Sequence, residues 1–428
     1  MSLLLAFYGD DFTGSTDALE FLSRAGARTV LFMEPPGAEQ LKRYPDLEAI
    51  GIAGMTRAMP PDEMEAVLRP AFGVLAGLGV PHVHYKVCST FDSSPAIGSI
   101  GKAIDIGADI FRAGFVPVLG GAPALGRYCV FGNLFARMGI GSEGNIYRLD
   151  RHPSMSKHPV TPADESDLRV HLGRQTSRNI GLLDIVGLEM GPDEQRKILE
   201  RSAVTLIDVL YATQLERIGA LLDGYGSPGQ PLFSVGSSAV EMALGDHWKA
   251  DGRLTPPAEW PSPGRAEPLL VVSGSCSPVT AGQIAWAKAN GFAGIALDAA
   301  AVAEWGSHVK EAREYLKEGR SLILHTGHTP AGPIPAALLG TALGKLVKEI
   351  LAGWDGVRRL VIAGGDTSGY AARALGIGAV EMICPLIPGA PLCRAYAPGS
   401  TVDGMEINLK GGQVGGEDYF GKLLNGKK

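Results

Sequence analysis

The sequence contains no hydrophobic run near the ~20 residues that a membrane-spanning helix needs. Its first apolar stretch is only about five residues long and has no basic flank, so we expect no signal peptide and no membrane association. The sequence has only 5 cysteines, and they form no Cys-x-x-Cys motif. This usage is typical of reduced thiols and predicts a cytoplasmic protein.

Basic residues are fewer than acidic residues, with 39 Lys and Arg against 45 Asp and Glu. The formal net charge is −6, and binding to a nucleic-acid backbone needs a basic face, so we expect no nucleic-acid partner. Two common phosphate-binding signatures are missing too. No Gly-Lys pair is followed by Ser or Thr, and no Gly-x-Gly-x-x-Gly follows a predicted strand. Any nucleotide site must therefore follow another design.

The length of 428 residues suggests two domains. Residues 246–268 hold five prolines and little apolar periodicity, which is typical of a linker. We therefore predict one domain at residues 1–245 and a second at residues 269–428. Predicted strands alternate with predicted helices in both, which indicates an α/β fold in which each domain has a mainly parallel sheet flanked by helices. Helices are expected at residues 61–78 and 95–107.

In the first predicted domain, three apolar runs each end in polar residues. These ends are Gly9-Asp10-Asp11, Thr56-Arg57 and Ser89-Thr90. In open α/β sheets, ligands bind at the carboxyl ends of the strands. Lys86 lies inside the third run, and because an unpaired buried ammonium is costly, it should meet Asp10, Asp11 or an anionic ligand. One of the two aspartates is expected to cap the following helix. The pattern predicts a site for a small anionic molecule.

The second predicted domain has three loops rich in glycine and hydroxyl residues, each after a strand. They are Ser273-Gly274-Ser275, Gly364-Gly365-Asp366-Thr367 and Lys410-Gly411-Gly412. Glycine lets backbone N–H groups approach an anion closely, and a helix N-terminus adds a favourable dipole. One such loop is explained by chain turning alone. Three in one domain favour binding of nucleotide phosphates.

Six motifs occur in order along the chain: GDDFTG (9–14), KVCSTFDSS (86–94), YRLDRHPSMSKHPVTP (147–162), SGSCSP (273–278), GGDTSG (364–369) and LKGGQVGGEDYF (409–420). Together they resemble the four-carbon acid sugar kinases, a former domain-of-unknown-function family that includes threonate, erythronate and 3-oxo-tetronate kinases. The resemblance covers essentially the whole chain. It implies an N-terminal domain that binds a sugar acid, a C-terminal domain that binds ATP with Mg²⁺, and an active site in the cleft between them.

The resemblance also implies roles for individual residues. The predicted sugar-acid site comprises Asp10, Asp11, Arg57, Lys86, Ser89, Thr90, Asp92, Arg151 and His152. The predicted nucleotide site comprises Ser273, Gly274, Ser275, Gly364, Gly365, Asp366, Thr367, Gly411 and Gly412. Asp366 is expected to contribute to the magnesium shell.

Phosphoryl transfer needs mainly alignment and charge neutralisation, with one carboxylate to orient or deprotonate the attacking hydroxyl. Asp11 is favoured for that role, followed by Asp10 and Asp92. Two alternatives stay open: a non-catalytic sensor of sugar acids, and an oxidoreductase or aldolase acting on the same acids. The sequence does not decide which stereoisomer or oxidation state of the acid is used, or which hydroxyl is phosphorylated. It also leaves the oligomeric state open, and a homo-oligomer is one alternative.

Overall fold

The computed structural model describes residues 3–138, 144–158, 160–327, 334–412 and 414–427. The chain divides into two compact units. The first comprises Met1–Thr29 and Pro35–Pro257, and the second comprises Val30–Glu34 and Ala258–Lys428. A short segment from the N-terminal part of the chain thus belongs to the unit formed by the C-terminal part.

The strands in the described ranges are β1 (Leu5–Gly9), β2 (Thr29–Phe32), β3 (Ala49–Ala53), β4 (His82–Lys86), β5 (Val116–Leu119), β6 (Arg127–Val130), β7 (Asn133–Arg137), β8 (Ile146–Arg148), β9 (Ile180–Leu183), β10 (Val204–Ile207), β11 (Leu232–Gly236), β12 (Leu269–Ser273), β13 (Ala293–Ala296), β14 (Leu322–His325), β15 (Arg359–Ala363), β16 (Ala379–Ile387), β17 (Ala390–Tyr396) and β18 (Glu406–Lys410).

The helices are α1 (Phe12–Ala25), α2 (Ala38–Leu41), α3 (Pro61–Ala76), α4 (Ile100–Phe111), α5 (Leu168–Gly173), α6 (Pro192–Leu199), α7 (Leu215–Asp223), α8 (Ala239–Ala250), α9 (Pro278–Ala289), α10 (Val309–Lys317), α11 (Ala336–Leu351), α12 (Gly365–Ala374) and α13 (Tyr419–Asn425). Within the described ranges, none of them has both the length and the apolar character needed to cross a membrane.

The first unit is built on a parallel sheet with the strand order β3-β1-β4-β11-β5-β10-β9. Its strands are short, and all except the edge strand β9 are fully buried, which is typical of parallel sheets covered by helices on both faces. Aromatic side chains fill the core beside it, where the ring of Phe233 lies 5.6 Å from Phe72 and 5.1 Å from Phe111. A small antiparallel sheet, β6-β7-β8, is separate from the main one.

The second unit has the strand order β13-β14-β12-β15-β18-β17-β16-β2. The first five strands are parallel, and the last three pairings are antiparallel. In the last pairing, Phe32 lies opposite Ala379 and Val30 lies opposite Glu381. The predicted fold class, α/β with mainly parallel sheets flanked by helices, is confirmed. Strands β16 and β17 and the antiparallel pairing of β2 were not predicted.

The predicted helix at residues 61–78 is confirmed as α3, which begins with Pro61 in the first turn. The predicted helix at residues 95–107 begins later than expected. Ser94 closes a local turn instead, accepting a hydrogen bond from the Ile97 N–H over 3.0 Å. The cap of α4 is Ser99, whose hydroxyl accepts from the Lys102 N–H. Ser94 and Pro95 therefore belong to a turn that precedes α4 and not to the start of the helix.

Candidate functional site

In the first unit, the strand register brings the predicted acidic and basic residues to one edge of the sheet. Gly9, the last residue of β1, lies between Ala53 of β3 and Lys86 of β4. The Asp10 N–H donates to the Lys86 carbonyl over 2.8 Å, and the Arg57 N–H donates to the Asp10 carbonyl over 3.0 Å. Parallel strands place their carboxyl ends together. The predicted convergence of these residues is therefore observed.

Asp11 caps α1 and pairs with a cation. Its Oδ1 accepts from the Gly14 N–H, and its Oδ2 accepts from the Thr13 hydroxyl over 2.7 Å. Arg57 Nη1 lies 3.1 Å from Oδ2. Burial by itself would raise the pKa of Asp11, but Arg57 and Lys86 outweigh it and the pKa is lowered. Asp11 is therefore held as a carboxylate with its oxygens largely committed.

The pKa of Asp10 is shifted in the opposite direction to that of Asp11. Its side chain is 2% exposed. Among the residues that the structure describes, none makes a hydrogen bond with its Oδ1. Burial, and then the neighbouring charge of Asp11, raise the pKa of Asp10 well above its ordinary value. A buried polar atom without a partner is uncommon and often marks a place where a ligand or solvent is bound. Asp10 thus offers an uncommitted carboxyl oxygen with raised basicity.

Lys86 is buried as predicted, but its nearest carboxylate was not predicted. Its Nζ donates to the Val87 carbonyl over 3.0 Å and lies 4.0 Å from Asp17 Oδ2. Burial lowers the pKa of Lys86, but Asp17, Asp11 and Asp10 outweigh it, so the pKa is raised and the ammonium stays charged. The site therefore holds a fixed positive charge close to the carboxylates of Asp17, Asp11 and Asp10.

Asp17 was missed by the sequence reasoning, although it lies on α1 only a few residues after the GDDFTG motif. Its Oδ2 accepts from the Ser238 hydroxyl over 2.6 Å, and burial raises the pKa of its carboxyl group. A carboxylate between Thr16 and Ala18 on a buried helical face was the available signal. Ser238 carried no such signal, because its link to Asp17 spans most of the first unit.

Arg127 is a second missed residue. It is 7% exposed, and its Nη1 donates to the carbonyls of Leu125 and Arg137. Its Nε makes no hydrogen bond with any residue in the described ranges. Burial lowers the pKa of Arg127, while the charges of Asp92 and Asp17 are close enough to act in the opposite direction. Arg127 is thus a further buried cation of the first unit, within electrostatic reach of Asp92 and Asp17.

The residues after β4 are buried near this cluster. Ser89 and Thr90 are 9% and 6% exposed. Asp92 Oδ1 is buried, and no partner for it lies in the part of the chain described. The Thr90 hydroxyl lies 3.0 Å from Cys88 Sγ, and burial raises the pKa of that thiol to about 12. Cys88 is therefore a neutral packing group and not a nucleophile.

The predicted substrate loop divides into exposed and internal residues. The Arg151 side chain is 75% exposed and lies 3.7 Å from Asp150. His152 is buried, and its Nδ1 accepts from the N–H groups of Ser154 and Met155 over 3.2 Å each. A narrow crevice lies between residues 90–93 and a second group that includes Leu149 and residues 161–163. The loop therefore reaches the Asp92 region through Leu149, whereas the side chain of Arg151 points to solvent.

In the second unit, the three glycine loops also meet at one sheet edge. Ser273 at the end of β12 lies beside Ala363 of β15, which lies beside Lys410 of β18. The Gly274 N–H donates to the Ala363 carbonyl over 3.0 Å, and the Gly364 N–H donates to the Lys410 carbonyl over 2.9 Å. The convergence predicted from strand ends is observed here as well.

Helix α12 begins inside the GGDTSG motif. Gly364 precedes it with φ +138°, and a Cβ at this position would collide with the Thr367 hydroxyl. The N-cap residue is a glycine, so in the described part of the chain no N-cap side chain accepts from the first N–H groups of α12. A helix N-terminus of this kind is suited to bind a phosphate group. The side chain of Asp366, the predicted magnesium ligand, lies outside what the structure describes.

The first and third loops are joined by hydroxyl groups. The Ser275 hydroxyl donates to Thr280 Oγ1 over 3.2 Å, and the Thr280 hydroxyl donates to the Gly412 carbonyl over 3.1 Å. A Cβ on Gly412 would lie 3.2 Å from Ser275 Oγ. Ser277 caps α9 by accepting from the Val279 N–H. Glycine at 412 therefore permits a close approach of the two loops.

One group of metal-ligand type occurs away from both loop clusters. Asp223, His247 and Asp251 have ligand atoms within 4.8 Å of one another. Arg253, however, pairs with Asp251 over 2.6 Å and also with Asp223. A guanidinium already neutralises these carboxylates, so this group is a structural ion-pair network and not a metal centre.

Comparisons with known proteins match both units. The family model of a sugar-binding N-terminal domain covers residues 5–244, and that of a nucleotide-binding C-terminal domain covers residues 270–420. A 3-oxo-isoapionate kinase of Paraburkholderia graminis is 43% identical, over 99% of this chain and 95% of that protein. A 3-oxo-tetronate kinase of Methylobacterium radiotolerans is 32% identical, over 99% of both chains.

Two solved structures have the same architecture. A protein of Salmonella typhimurium LT2 has a TM-score of 0.77 and 25% identity, with 99% of each chain covered. A protein of Haemophilus influenzae has a TM-score of 0.71 and 20% identity, with 97% of this chain and 98% of that chain covered. The second likeness concerns the fold alone.

Proposed function

This chain belongs to the four-carbon acid sugar kinase family, and we propose that it transfers the γ-phosphoryl group of ATP to a hydroxyl of a 3-oxo sugar acid. The observation that carries the proposal is the pairing of two kinds of site in one chain. One unit has a buried cluster of carboxylates and cations at its strand ends, and the other has three converging glycine loops. Together they suit an anionic acceptor and a nucleotide donor.

The cations Lys86, Arg57 and Arg127 support recognition of the acid. An arginine side chain can hold a carboxylate through two parallel hydrogen bonds, while a lysine acts as a compact point charge. Lys86 is fixed by its bond to the Val87 carbonyl, so its charge is already in place before a ligand arrives. We propose that these cations bind the carboxylate of the sugar acid, with Ser89 and Thr90 contacting its hydroxyls.

We propose Asp10 as the general base, with Asp11 holding Arg57 and the start of α1. A base works best when its pKa lies near the working pH and when one of its oxygens is free to accept a proton. Asp10 has the raised pKa and the uncommitted Oδ1, whereas the pKa of Asp11 is lowered and its oxygens accept hydrogen bonds. Asp92 remains the next candidate, because its Oδ1 is also unpartnered among the described residues.

The nucleotide part of the proposal rests on backbone donors. The N-terminus of α12, the Ser273-Gly274-Ser275 loop and the Gly411-Gly412 turn present glycine and hydroxyl groups at one sheet edge. Such donors stabilise the charge that spreads over phosphate oxygens during transfer. We assign the ATP phosphates to Ser273, Gly274, Ser275, Gly364, Gly365, Thr367, Gly411 and Gly412.

Mg²⁺ is the expected partner of ATP, and the donor set in this unit suits it. Mg²⁺ prefers oxygen ligands and keeps several waters. The Ser275 and Thr367 hydroxyls lie at the loop edge, and Asp366 supplies a carboxylate in the same sequence motif. We propose that Asp366 holds the ion directly or through water. The bound ion would neutralise phosphate charge.

The test is ADP release with Mg²⁺ and ATP against a panel of acids. The panel contains 3-oxo-isoapionate, the D and L forms of 3-oxo-tetronate, threonate and erythronate, and a control without acid. We expect the highest kcat/KM with a 3-oxo acid, and 3-oxo-isoapionate is the first choice because that relative is 43% identical. The Lys86→Met variant should lose activity with every acid.

Each other outcome identifies a rival function. Acid binding by calorimetry without ADP release would indicate a sugar-acid sensor. Consumption of the acid without ATP would indicate an oxidoreductase or an aldolase. Either result would overturn the kinase proposal.

A further inference from the structure

Lys410 is a fully buried lysine at the start of the third glycine loop. It is the last residue of β18, and its side chain is 0% exposed. Its ammonium donates to Thr280 Oγ1 over 3.0 Å, to the Gly411 carbonyl over 2.8 Å and to the Gly412 carbonyl over 3.4 Å. These bonds fold the side chain back onto its own turn. Hydrogen bonds from the Lys410 side chain thus stabilise the turn after β18.

The same residue reaches the other two loops. Its backbone carbonyl accepts from the Gly364 N–H over 2.9 Å, which ties it to the start of the α12 loop. Thr280, which accepts from the ammonium, also accepts from the Ser275 hydroxyl of the first loop. Lys410 is therefore bonded to the second loop directly and to the first loop through one threonine.

Among the residues that the structure describes, none supplies a carboxylate as counter-ion to this ammonium. Its contacts are Thr280 from α9, two backbone carbonyls of its own turn, and the ring of Tyr419 from α13 at 5.3 Å. The Tyr419 hydroxyl donates to Asn408, so the ring faces Lys410 as a neutral group. Within the described ranges, no carboxylate pairs with Lys410, and burial lowers its pKa to about 7.

Another buried cation of the same unit shows the usual arrangement. Arg359 is also 0% exposed, and it pairs with Glu406 over 2.5 Å. A buried cation is costly unless it is paired, and most buried charges therefore have partners. The difference between Arg359 and Lys410 indicates that an anion from outside the chain completes the environment of Lys410.

We propose that Lys410 is a positioning residue of the nucleotide site, which locks the three loops into one arrangement and has its charge balanced by the phosphates of the bound nucleotide. This inference rests on the proposed function. It goes beyond that function by assigning a role to a residue that lies behind the loops and is closed to solvent.

The proposal makes nucleotide binding dependent on pH. In the free protein Lys410 is partly neutral near pH 7, because burial lowers its pKa to about 7. An anionic phosphate nearby favours the charged form and raises the pKa of Lys410 in the complex. Binding of the nucleotide therefore takes up a proton when the pH lies between the pKa of Lys410 in the free protein and its pKa in the complex. Affinity is full below about pH 7 and falls as the pH rises, by at most roughly tenfold per pH unit.

The experiment is calorimetric titration of the full chain with ADP at pH 6.5, 7.5 and 8.5. Two buffers of different ionisation enthalpy report the number of protons taken up. At pH 8.5 the phosphates of ADP are already ionised, so the wild type should take up close to one proton from Lys410. Lys410→Gln keeps hydrogen-bonding capacity without the charge, and it should bind ADP more weakly and take up no proton at pH 8.5.

The matched control is Lys345→Met, which removes an exposed lysine of α11. It should bind ADP like the wild type and take up the same number of protons. In steady-state assays, Lys410→Gln should raise the KM for ATP at least about tenfold, while the KM for the sugar acid changes less than about twofold. A general structural defect would raise both KM values together.

The outcomes separate this inference from the proposed function. If the folded wild type binds neither ADP nor ATP at any pH, the proposed function fails. If it binds nucleotide without proton uptake at pH 8.5, the role of Lys410 is overturned and the kinase proposal stands. If Lys410→Gln does not fold, the wild-type titration still decides, because it needs no variant. Equal uptake in wild type and Lys410→Gln would likewise overturn the role of Lys410.

Discussion

Asp10 and Asp11 are adjacent in the chain, yet the pKa of Asp10 is raised and the pKa of Asp11 is lowered. The Arg57 guanidinium lies 3.1 Å from Asp11 Oδ2, and Asp11 also caps α1. Asp10 is buried, and its Oδ1 has no hydrogen-bond partner among the described residues. Two carboxylates held in such different environments are suited to different tasks, one basic and one structural.

Asp10→Asn should separate activity from stability. If Asp10 is the base, kcat falls by roughly 10²–10⁴-fold, the usual contribution of general base catalysis. Burial penalises the charged carboxyl, so the neutral asparagine should raise Tm at pH 7.5, by about 2 °C or more. Thermal unfolding and ADP release check both effects. A variant that keeps more than about a tenth of the wild-type kcat would contradict the assignment of Asp10.

Asp11→Asn should have the opposite effect on stability. The lowered pKa of Asp11 means that its ionised form stabilises the fold above the ordinary aspartate range, near 3.8. That stability is lost as pH falls through the folded-state pKa. We therefore expect Asp11→Asn to lower Tm at pH 7.5 and to make little difference at the lowest pH where the protein stays folded. An unchanged Tm at pH 7.5 would contradict the ion pair with Arg57.

The pH profile of kcat should have an acid limb set by Asp10. A base must be deprotonated to act, so kcat falls as pH drops through the pKa of Asp10. Because burial and Asp11 raise that pKa, the limb should lie well above 3.8. In Asp92→Asn the limb should persist, with its midpoint moved to lower pH because the charge of Asp92 no longer raises the pKa of Asp10. A limb that disappears in Asp92→Asn would transfer the base role to Asp92.

Lys86→Met should act on the acid and not on the nucleotide. Removing the ammonium takes away a charge that pairs with an anionic ground state, so we expect the KM for the sugar acid to rise at least about tenfold. The KM for ATP should change little. Asp17→Asn should give a smaller change in the same direction, since Asp17 lies 4.0 Å from the ammonium and helps to keep it charged. Lys197→Met, an exposed lysine of α6, is the control.

Gly412→Ala should weaken nucleotide binding. A Cβ at 412 would lie 3.1 Å from Ser277 Cβ and 3.2 Å from Ser275 Oγ, so the two loops would have to separate. We expect the Kd for ADP to rise roughly tenfold, while calorimetry with the sugar acid gives an unchanged Kd. Gly282→Ala is the matched control, because a Cβ there has open space around it. Equal ADP affinity in both variants would argue against close packing of the loops at the nucleotide.

Removal of Mg²⁺ by EDTA should abolish ADP release, and Asp366→Asn should raise the Mg²⁺ concentration needed for half-maximal rate. A carboxylate is a stronger Mg²⁺ ligand than an amide, so a several-fold shift is expected if Asp366 holds the ion. The measurement is kcat as a function of free Mg²⁺ at saturating ATP. An identical Mg²⁺ dependence would exclude Asp366 from the metal shell.

Much of both loop clusters could be predicted because strand ends are local features. A buried apolar run followed by Asp10-Asp11 or by Gly364-Gly365 identifies a strand and its carboxyl end without knowledge of the rest of the chain. Parallel order then brings such ends together. The sequence reasoning did not find Asp17, because its neighbour Ser238 lies just before α8, far along the chain. Contacts of this kind depend on tertiary packing, which no local pattern encodes.

Residues 30–34 lie within the predicted first domain, residues 1–245, but they belong to the second unit. Residues 29–33 have the apolar, β-branched character of a strand, and nothing in them specifies which sheet they join. The partner, β16, was not predicted at all, and their antiparallel pairing joins Val30 to Glu381. Strands so far apart in the chain pair because the overall fold brings them together, and their β propensity does not specify the partner.

The placement of residues 30–34 has a consequence for synthesis on the ribosome. The segment that supplies the edge of the second unit emerges early, but its partner strand β16 follows only after roughly 350 more residues. At about 5–20 residues per second, this strand waits on the order of 20–70 s before its partner exists. The N-terminal part of the chain therefore cannot complete its native pairing co-translationally as an isolated fragment. A fragment that begins after Pro257 would lack β2 and would leave β16 as an unpaired edge strand.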